Sequence, residues 1–139
     1  MNKPDSQQIG LAGEYYVAFI LTRLGYDIGI TIGMAKVFDM VAIGDLGRSV
    51  NVQVKSTYQG YDWLVKEHSF DCNKNSVIAL VRLGKYADQE PELYFAAGST
   101  AKTMTTHEYV NHSPRISRSE ARGQFENHDF NLLKKLLEA

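Results

Sequence analysis

The clearest pattern in the chain is an apolar stripe over residues 5–25. Its members recur every three to four positions, as in an amphipathic helix: Ile9, Gly13, Tyr16, Val17, Ile20 and Leu24. Asp5 and Gln8 have the spacing of a capping box, and Gly25 is a residue type that ends helices. The pattern therefore predicts a helix over this stretch, with Glu14 at the rim of its apolar stripe.

Shorter apolar runs follow, bounded by glycine and polar residues, and these predict strands. The predicted strands cover 26–32, 37–44, 49–56, 77–83 and 93–97, and two further helices cover 103–111 and 131–137. This order indicates an α/β fold, with a mixed central β-sheet flanked by helices and the first helix on one side. The 139 residues fit a single domain over 1–139.

The second and third predicted strands are joined closely enough to form a β-hairpin, and the loop decides which residues share a face. A three-residue loop over 45–47 ends in a glycine, where a type I turn with a bulge needs a positive φ. This loop pairs Asp39 with Gln53, whereas a two-residue loop would move Asp39 to the other face. The glycine therefore favours a register in which Asp39, Gln53 and Lys55 project from one face of the sheet.

An acid, an amide and an amine on one face have two explanations. Asp39 and Lys55 can form a structural ion pair on a solvated face. Alternatively, Asp39, the amide oxygen of Gln53 and a backbone carbonyl can supply oxygen ligands to a divalent metal such as Mg²⁺, which keeps several waters. Lys55 would then stand beside the attacking water or a scissile phosphate, and Glu14 would supply a second carboxylate. The residues by themselves leave both explanations open.

This arrangement resembles the PD-(D/E)XK nuclease superfamily. Members of that superfamily have a helix that bears a glutamate, then a strand with an aspartate, then a strand with (D/E)-x-K. The matching positions here are Glu14 in GLAGEYYVA, Asp39 in VFDMVAIG, and Gln53 with Lys55 in VQVKS. The resemblance covers about residues 6–57, and it makes the chain a Q-x-K variant because Gln53 replaces the usual acid.

The resemblance implies a restriction-endonuclease-like core and a metal-dependent endonuclease that hydrolyses DNA phosphodiester bonds. It implies that Asp39, Gln53 and the backbone carbonyl of Val54 bind Mg²⁺, for which Mn²⁺ can substitute. Glu14 would help to hold a second metal ion or a metal-bound water, and Lys55 would orient or activate the attacking water. Cutting both strands of a duplex is simplest with two copies of the site, so a homodimer is expected as well.

The composition of the chain restricts how it could bind DNA and where it is expected to act. The net charge is −1, so DNA would have to meet a local basic patch rather than a general positive field. The one cysteine, Cys72, excludes an internal disulfide and a cysteine-cluster metal site. The sequence shows no signal peptide, no run long enough to span a membrane and no nucleotide-binding glycine motif. We therefore expect a cytoplasmic protein without membrane association or a nucleotide cofactor.

Several side chains are candidates for contacts with DNA. Arg115, Arg118 and Arg122 form the best local basic patch for phosphates, although a solvated surface explains them equally well. Tyr58 and Lys66 follow the third predicted strand closely and are further candidates. Core or rim packing is the commoner use of aromatic residues at such positions.

Two other functions stay open at this point. The first is a nuclease-fold module that binds DNA with weak or no cleavage, because the amide of Gln53 brings an oxygen but no charge to a metal ion. The second is an α/β interaction protein without a nucleic-acid partner, in which Asp39 and Lys55 form a structural pair.

Overall fold

The computed structural model describes residues 2–31, 38–65, 73–106 and 114–139. The helices are α1 (Ser6–Arg23), α2 (Gly98–Met104), α3 (Arg118–Gln124) and α4 (Asn131–Leu137). The strands are β1 (Asp27–Ile30), β2 (Met40–Ile43), β3 (Ser49–Tyr58), β4 (Asp62–Leu64), β5 (Ser76–Leu83), β6 (Glu92–Ala97) and β7 (Arg115–Ser117).

Five strands form a central sheet in the order β1-β2-β3-β5-β6. β3 and β5 run parallel, whereas the other neighbours in this sheet are antiparallel. β4 and β7 pair antiparallel in a separate two-stranded sheet. The predicted fold class is confirmed, since the protein is a mixed α/β protein with a central mixed sheet flanked by helices.

Each face of the central sheet belongs to a different hydrophobic core. On the first face, α1 and α4 pack on residues that include Val50, Val52, Val54, Ala79 and Phe95. The second core joins the other face of β5 and β6 to β4, β7, α2 and α3, through residues that include Trp63, Ile78, Leu80, Tyr94, Met104, Ile116 and Ala121. β3 gives its valines to the first core, and its opposite face carries half-buried polar side chains. The candidate chemistry therefore lies on the polar face of a central strand.

The boundaries of α1 agree with the prediction. The carboxylate of Asp5 accepts a hydrogen bond from the backbone N–H of Gln8 at 2.8 Å, and the side-chain oxygen of Gln8 accepts one from the N–H of Asp5 at 3.0 Å. Gly25 follows the helix with a φ of 93°, in the left-handed region that glycine adopts readily. Neither α1 nor another helix in the described parts of the chain is long and apolar enough to cross a bilayer.

The β2–β3 hairpin has the predicted register. Val41 lies opposite Asn51, and the N–H of Gly44 donates to the carbonyl of Arg48 at 2.8 Å. Gly47 has the predicted positive φ, at 74°, but Leu46 also has a positive φ, at 56°, so the loop is not the predicted type I turn. A slip by one residue, which would exchange the two faces of β3, is therefore excluded.

α1 crosses β3 at a glycine. A Cβ built on Gly13 would overlap the Oγ of Ser56 and would lie 2.9 Å from the Cβ of that serine. The helix and strand can approach this closely only because residue 13 has no side chain. Glu14 and Lys55, the sequence neighbours of these two residues, each lie one residue from the crossing point.

We expect Gly13→Ala to destabilise the protein by about 1–3 kcal/mol, because the added methyl group forces α1 and β3 apart. Gly10→Ala is the matched control, since nothing lies within 4 Å of a Cβ built on Gly10. That control should be neutral or slightly stabilising, as alanine is the better helix former. Denaturant unfolding measures both variants. Equal stability of Gly13→Ala and the parent would contradict the close crossing.

The structure also corrects the helix predicted at 103–111. α2 spans Gly98–Met104 instead, Thr105 is extended, and Thr106 forms an isolated bridge with Arg115. Residues 107–111 lie outside the described parts of the chain, as do residues 32 and 37 at the ends of two predicted strands. β4 and β7, with three residues each, are too short to show an alternating pattern in the sequence.

Candidate active site

Asp39 is held by three hydrogen bonds at the point where β2 begins. Its N–H donates to the carbonyl of Val52 at 2.9 Å, and its carbonyl accepts from the N–H of Thr31 at 3.0 Å. Its carboxylate Oδ2 accepts from the N–H of Val54 at 2.6 Å. The side chain is buried, with 8% of the residue exposed. The carboxylate is therefore fixed against the backbone of β3.

This position differs in detail from the predicted pairing of Asp39 with Gln53. The regular ladder between β2 and β3 ends at Met40, and the chain bends at Asp39. At this bend the Asp39 carboxylate, instead of a backbone carbonyl of β2, accepts the hydrogen bond from the N–H of Val54. The N–H and C=O of a strand residue point to the same side, so the carbonyl of Val54 points to this edge too.

Gln53 and Lys55 flank Val54 on β3, and both are half-buried. In the parallel pairing with β5 they lie opposite Ile78 and Leu80, which belong to the second core. Directly opposed strand residues share a face, so Gln53 and Lys55 project from the face opposite to α1. The residue whose backbone N–H Asp39 accepts is therefore Val54, the central residue of the Q-x-K motif, between Gln53 and Lys55.

Glu14 lies on α1, which covers the face of the sheet opposite to Gln53 and Lys55. Its position around the helix axis determines which strands its side chain faces. Tyr16, two residues later, hydrogen-bonds His128 at 2.7 Å, and the N–H of His128 donates to Leu93 of β6. Residues two apart lie on opposite sides of a helix, at about 200°. Because Tyr16 faces β6, half-buried Glu14 lies on the side of α1 that is turned away from β6.

The ligands predicted from the sequence are oxygen atoms. They are the carboxylates of Asp39 and Glu14, the amide oxygen of Gln53 and the carbonyl of Val54. In the described parts of the chain, no three His, Cys, Asp or Glu side chains are grouped to hold a metal ion. A site here would therefore depend on neutral oxygens together with carboxylates. That donor set fits Mg²⁺, which takes few protein oxygens and keeps waters, better than it fits Zn²⁺.

Solved structures resemble this arrangement of helices and strands. No protein-family model matches the chain, and no curated protein matches it either. The bacterial homing endonuclease I-Ssp6803I matches with a TM-score of 0.53 at 13% sequence identity, over 82% of this chain and 75% of the other. Hjc, a Holliday junction resolvase from Archaeoglobus fulgidus, matches with a TM-score of 0.53 at 14% identity, over 85% of this chain and 95% of the other. The chain has a restriction-endonuclease-like fold.

At these identities the likeness is one of fold, and any chemistry of this nuclease-fold protein has to be argued from its own residues. The residues of the Q-x-K motif lie on the central strand of the mixed sheet, at the point where β2 and β3 separate. The predicted roles of these residues in metal binding and catalysis remain predictions.

Two of the three arginines predicted to contact DNA have acidic partners within the nuclease fold. Arg115 bonds Asp62 at 3.2 Å. Arg118 makes two hydrogen bonds to Glu92, at 3.2 and 2.6 Å. Arg122 is exposed on α3. DNA contacts by the three arginines are still a prediction, but Arg115 and Arg118 also hold β4, β7 and α3 in place.

Glu92 is the centre of a polar cluster that sequence reasoning missed. Its carboxylate accepts from Arg118 and from the hydroxyl of Tyr94 at 2.6 Å, and it lies 3.5 Å from Arg82. Burial raises the pKa of Glu92, but hydrogen bonds from Arg118 and Tyr94 and the charges of Arg118 and Arg82 outweigh it. The pKa of Glu92 is therefore below its ordinary value.

This lowered pKa predicts a loss of stability in acid. A carboxylate whose pKa is lower in the folded state stabilises the fold above its unfolded-state pKa of about 4.3, and the contribution disappears as the pH falls through the folded-state value. We expect Glu92→Gln to be less stable than the parent by about 1–2 kcal/mol at pH 7. Thermal melts at descending pH should show this gap closing in acid.

The exposed carboxylate Glu126 offers a control for that experiment, because its replacement by glutamine should leave the melting curves unchanged. If the gap between the parent and Glu92→Gln stayed constant down to about pH 3, the charged cluster would not be the source of the stability.

The remaining predicted DNA contacts are Tyr58 and Lys66. Tyr58 ends β3, is half-buried, and has the ammonium of Lys3 5.6 Å from its ring centroid. Lys66 lies outside the described residues. Trp63, by contrast, is fully buried and donates to the carbonyl of Val81 at 2.9 Å, so it packs in the core.

Proposed function

We propose that the protein is a metal-dependent endonuclease that hydrolyses DNA phosphodiester bonds, and that residues 1–139 act as one domain. The observation that carries the proposal is the 2.6 Å hydrogen bond between the carboxylate of Asp39 and the N–H of Val54. It fixes a buried acid beside the backbone between Gln53 and Lys55, in a fold shared with a homing endonuclease and a junction resolvase.

In this proposal each residue near the β2–β3 separation has a distinct role. Asp39, the amide oxygen of Gln53 and the carbonyl of Val54 hold Mg²⁺, and Glu14 adds a second carboxylate from α1. When bound, Mg²⁺ supplies Lewis-acid chemistry at the scissile phosphate, and Mn²⁺ would serve as well. A carboxylate has about four acceptor sites, so the hydrogen bond from Val54 does not by itself prevent Asp39 from binding a cation.

Lys55 carries the remaining chemistry. Its ammonium would hold the attacking water by hydrogen bonding and offset the negative charge that develops on the phosphate. Half-burial strengthens such a charge interaction relative to one in open water. DNA would approach from the polar face of β3, with phosphates contacted by Arg122 and its neighbours Arg115 and Arg118.

A homodimer is part of the proposal, because a duplex has two strands to cut. Two copies related by a two-fold axis would present one site to each strand. Each site would be built from one chain.

The test is a cleavage assay with metal replacement. The parent should nick and linearise plasmid DNA in millimolar Mg²⁺ or Mn²⁺ and should be inactive with EDTA. Lys55→Ala should lose cleavage by roughly 10²–10³-fold, as when one group that stabilises transition-state charge is removed. Lys102→Ala, which removes an exposed lysine, is the control and should cut like the parent. A parent that cuts no plasmid or branched duplex with either metal would contradict the proposal.

A second function, DNA binding with weak or no cleavage, is favoured by the neutrality of Gln53. Only two of the proposed metal ligands bear a charge, and affinity for a cation falls with each charge lost. A gel-shift assay over a salt series separates the possibilities, since phosphate contacts give a strong salt dependence. Salt-dependent binding without metal-dependent cleavage would identify the binding module, and absence of both would leave a protein-interaction role.

A further inference from the structure

The outer face of α1 carries a row of large apolar side chains. Leu11, Tyr15 and Phe19 are 46%, 61% and 55% exposed. They are spaced by four residues, so they lie one above the other along the helix. We call them the α1 stripe. The opposite face of the same helix is buried through Gly13, Val17 and Leu21, so α1 is apolar on both sides.

The helix also lacks the charges that solvate an ordinary surface helix. In its 18 residues only Glu14 and Arg23 are charged, and Glu14 lies at the half-buried rim. The exposed polar positions around the α1 stripe are neutral, namely Gln7, Gln8 and Thr22, and Ala12 beside them is small. A helix that carries a second apolar face, besides the one that meets its own core, has a second surface to bury. The composition of α1 therefore indicates a second surface packed against it.

A second copy of the same helix fits the α1 stripe by symmetry. If two α1 helices pack antiparallel about a two-fold axis at Tyr15, residues whose numbers sum to 30 face each other. Leu11 then meets Phe19 of the other copy, and the two Tyr15 rings meet at the axis. A two-fold interface has to be self-complementary in this way.

Charge favours the antiparallel arrangement over a parallel one. Arg23, in the last turn, is brought opposite Gln7 of the other copy, two residues from the exposed cap Asp5. The positive side chain thus faces a neutral one rather than a like charge. Antiparallel packing also places the negative C-terminal end of each helix beside the positive N-terminal end of the other. In a parallel pair, by contrast, the two Arg23 side chains would meet.

The area of the α1 stripe sets the expected strength. An aromatic side chain presents about 150–250 Å², so at these exposures the stripe leaves roughly 300 Å² of apolar surface uncovered per copy. Stable dimers cover about 800 Å² per partner. The polar neighbours of the stripe add area but do not reach a large obligate interface. The association should therefore be weak and should depend on protein concentration.

We propose that the α1 stripe is the interface of a homodimer in which two copies of α1 pack antiparallel about Tyr15. The α1 stripe points away from the sheet, whereas Gln53 and Lys55 project from the far face of the sheet and Glu14 lies at the half-buried rim of α1. Packing through α1 leaves Gln53 and Lys55 of the two copies on the outer faces of the dimer. This association is therefore distinct from a pairing of two sites on one duplex, and it is assigned here to named residues.

Sedimentation velocity on the full chain tests the proposal. The parent should change from monomer to dimer as its concentration rises from about 1 to 200 μM. Tyr15→Glu should remain monomeric, because it would place two like charges together at the axis. Tyr86→Glu is the matched control, since Tyr86 is 59% exposed in the β5–β6 loop, and it should dimerise like the parent. Thermal melts confirm that both variants fold.

A charge-pair experiment tests the register. Leu11→Glu and Phe19→Lys should each be monomeric alone, but an equimolar mixture should form a heterodimer, because Glu at 11 then faces Lys at 19. A parent that stays monomeric over the whole range, or a mixture that fails to associate, would overturn the proposal. These readouts measure mass and not cleavage, so their failure is distinguishable from failure of the proposed nuclease function.

Discussion

Asp39→Asn is expected to lower metal-dependent DNA cleavage by roughly 10²–10³-fold, the loss typical of removing a group that stabilises transition-state charge. The fold should survive, because the side-chain oxygen of asparagine can still accept the hydrogen bond from the N–H of Val54. The rise in melting temperature that Mg²⁺ gives to the parent should disappear. Plasmid cleavage and thermal melts with and without Mg²⁺ measure both effects.

Asp39→Ala separates the structural role of this carboxylate from its proposed chemical role. Alanine leaves the buried N–H of Val54 without its partner, at a cost of about 1–3 kcal/mol. We therefore expect Asp39→Ala to lose both activity and stability, and Asp39→Asn to lose activity alone. Asp27→Asn, on the exposed surface of β1, controls for a general loss of negative charge. Wild-type cleavage by Asp39→Asn would remove the acid from the mechanism.

The features that the sequence could predict are formed by residues that lie within a few positions of each other along the chain. The positive φ of Gly47 fixes the loop between β2 and β3, and the loop fixes which residues of β3 share a face. The capping box of Asp5 and Gln8 fixes the start of α1 in the same way. Both are short-range hydrogen-bond patterns with a strong residue preference, so a single sequence contains the information.

The contacts that hold Asp39 are different in kind. Its carboxylate reaches Val54, 15 residues away, because the ladder ends at Met40 and the chain bends. No residue preference marks that bend. The predicted register of the hairpin is therefore confirmed, but the regular pairing of β2 with β3 ends at Met40 and does not include Asp39.

The arginines show how tertiary partners change an expectation. Arg118 finds Glu92 at a separation of 26 residues, and Arg115 finds Asp62 at 53. The spacing of residues along the sequence does not reveal these ion pairs, so the sequence predicts the same role, contact with DNA phosphates, for all three arginines. The start of α3, however, had a readable signal: Ser117 caps the helix by accepting from the N–H of Glu120, in the S-x-x-E pattern of a capping box.

The bare outer face of α1 was also readable. Leu11, Tyr15 and Phe19 stand four residues apart, and all three are large and largely apolar. One apolar stripe predicts one buried face of a helix, whereas two apolar stripes predict that two faces are buried, each against a different surface. The sequence does not show which stripe faces the protein's own core, and the burial of the residues does.

Gln53 is the residue whose replacement should separate the metal hypothesis from a structural one most sharply. If its amide oxygen binds the metal, Gln53→Glu keeps an oxygen and adds a charge, so metal affinity should rise or hold and cleavage should survive. Gln53→Leu removes the oxygen and should cost about 2–4 kcal/mol of transition-state stabilisation. Leucine should be tolerated by the fold, because Gln53 is half-buried opposite Ile78 of β5.

A structural role for Gln53 predicts the reverse order. Leucine would then leave any activity nearly unchanged, whereas glutamate would set a new charge close to the buried carboxylate of Asp39. Like charges in a partly desolvated place repel each other strongly, so Gln53→Glu would destabilise the fold unless Lys55 compensates.

Thermal melts of the two variants and the parent, with and without millimolar Mg²⁺, decide between these roles. A ligand that binds only the folded state raises its stability in proportion to the logarithm of concentration over the dissociation constant. The metal role requires a rise in melting temperature in the parent and in Gln53→Glu, and a smaller rise in Gln53→Leu. Asn51→Leu, on the same face of β3 two residues earlier, should respond like the parent. If the three proteins melted identically with and without Mg²⁺, Gln53 would have no part in binding a metal.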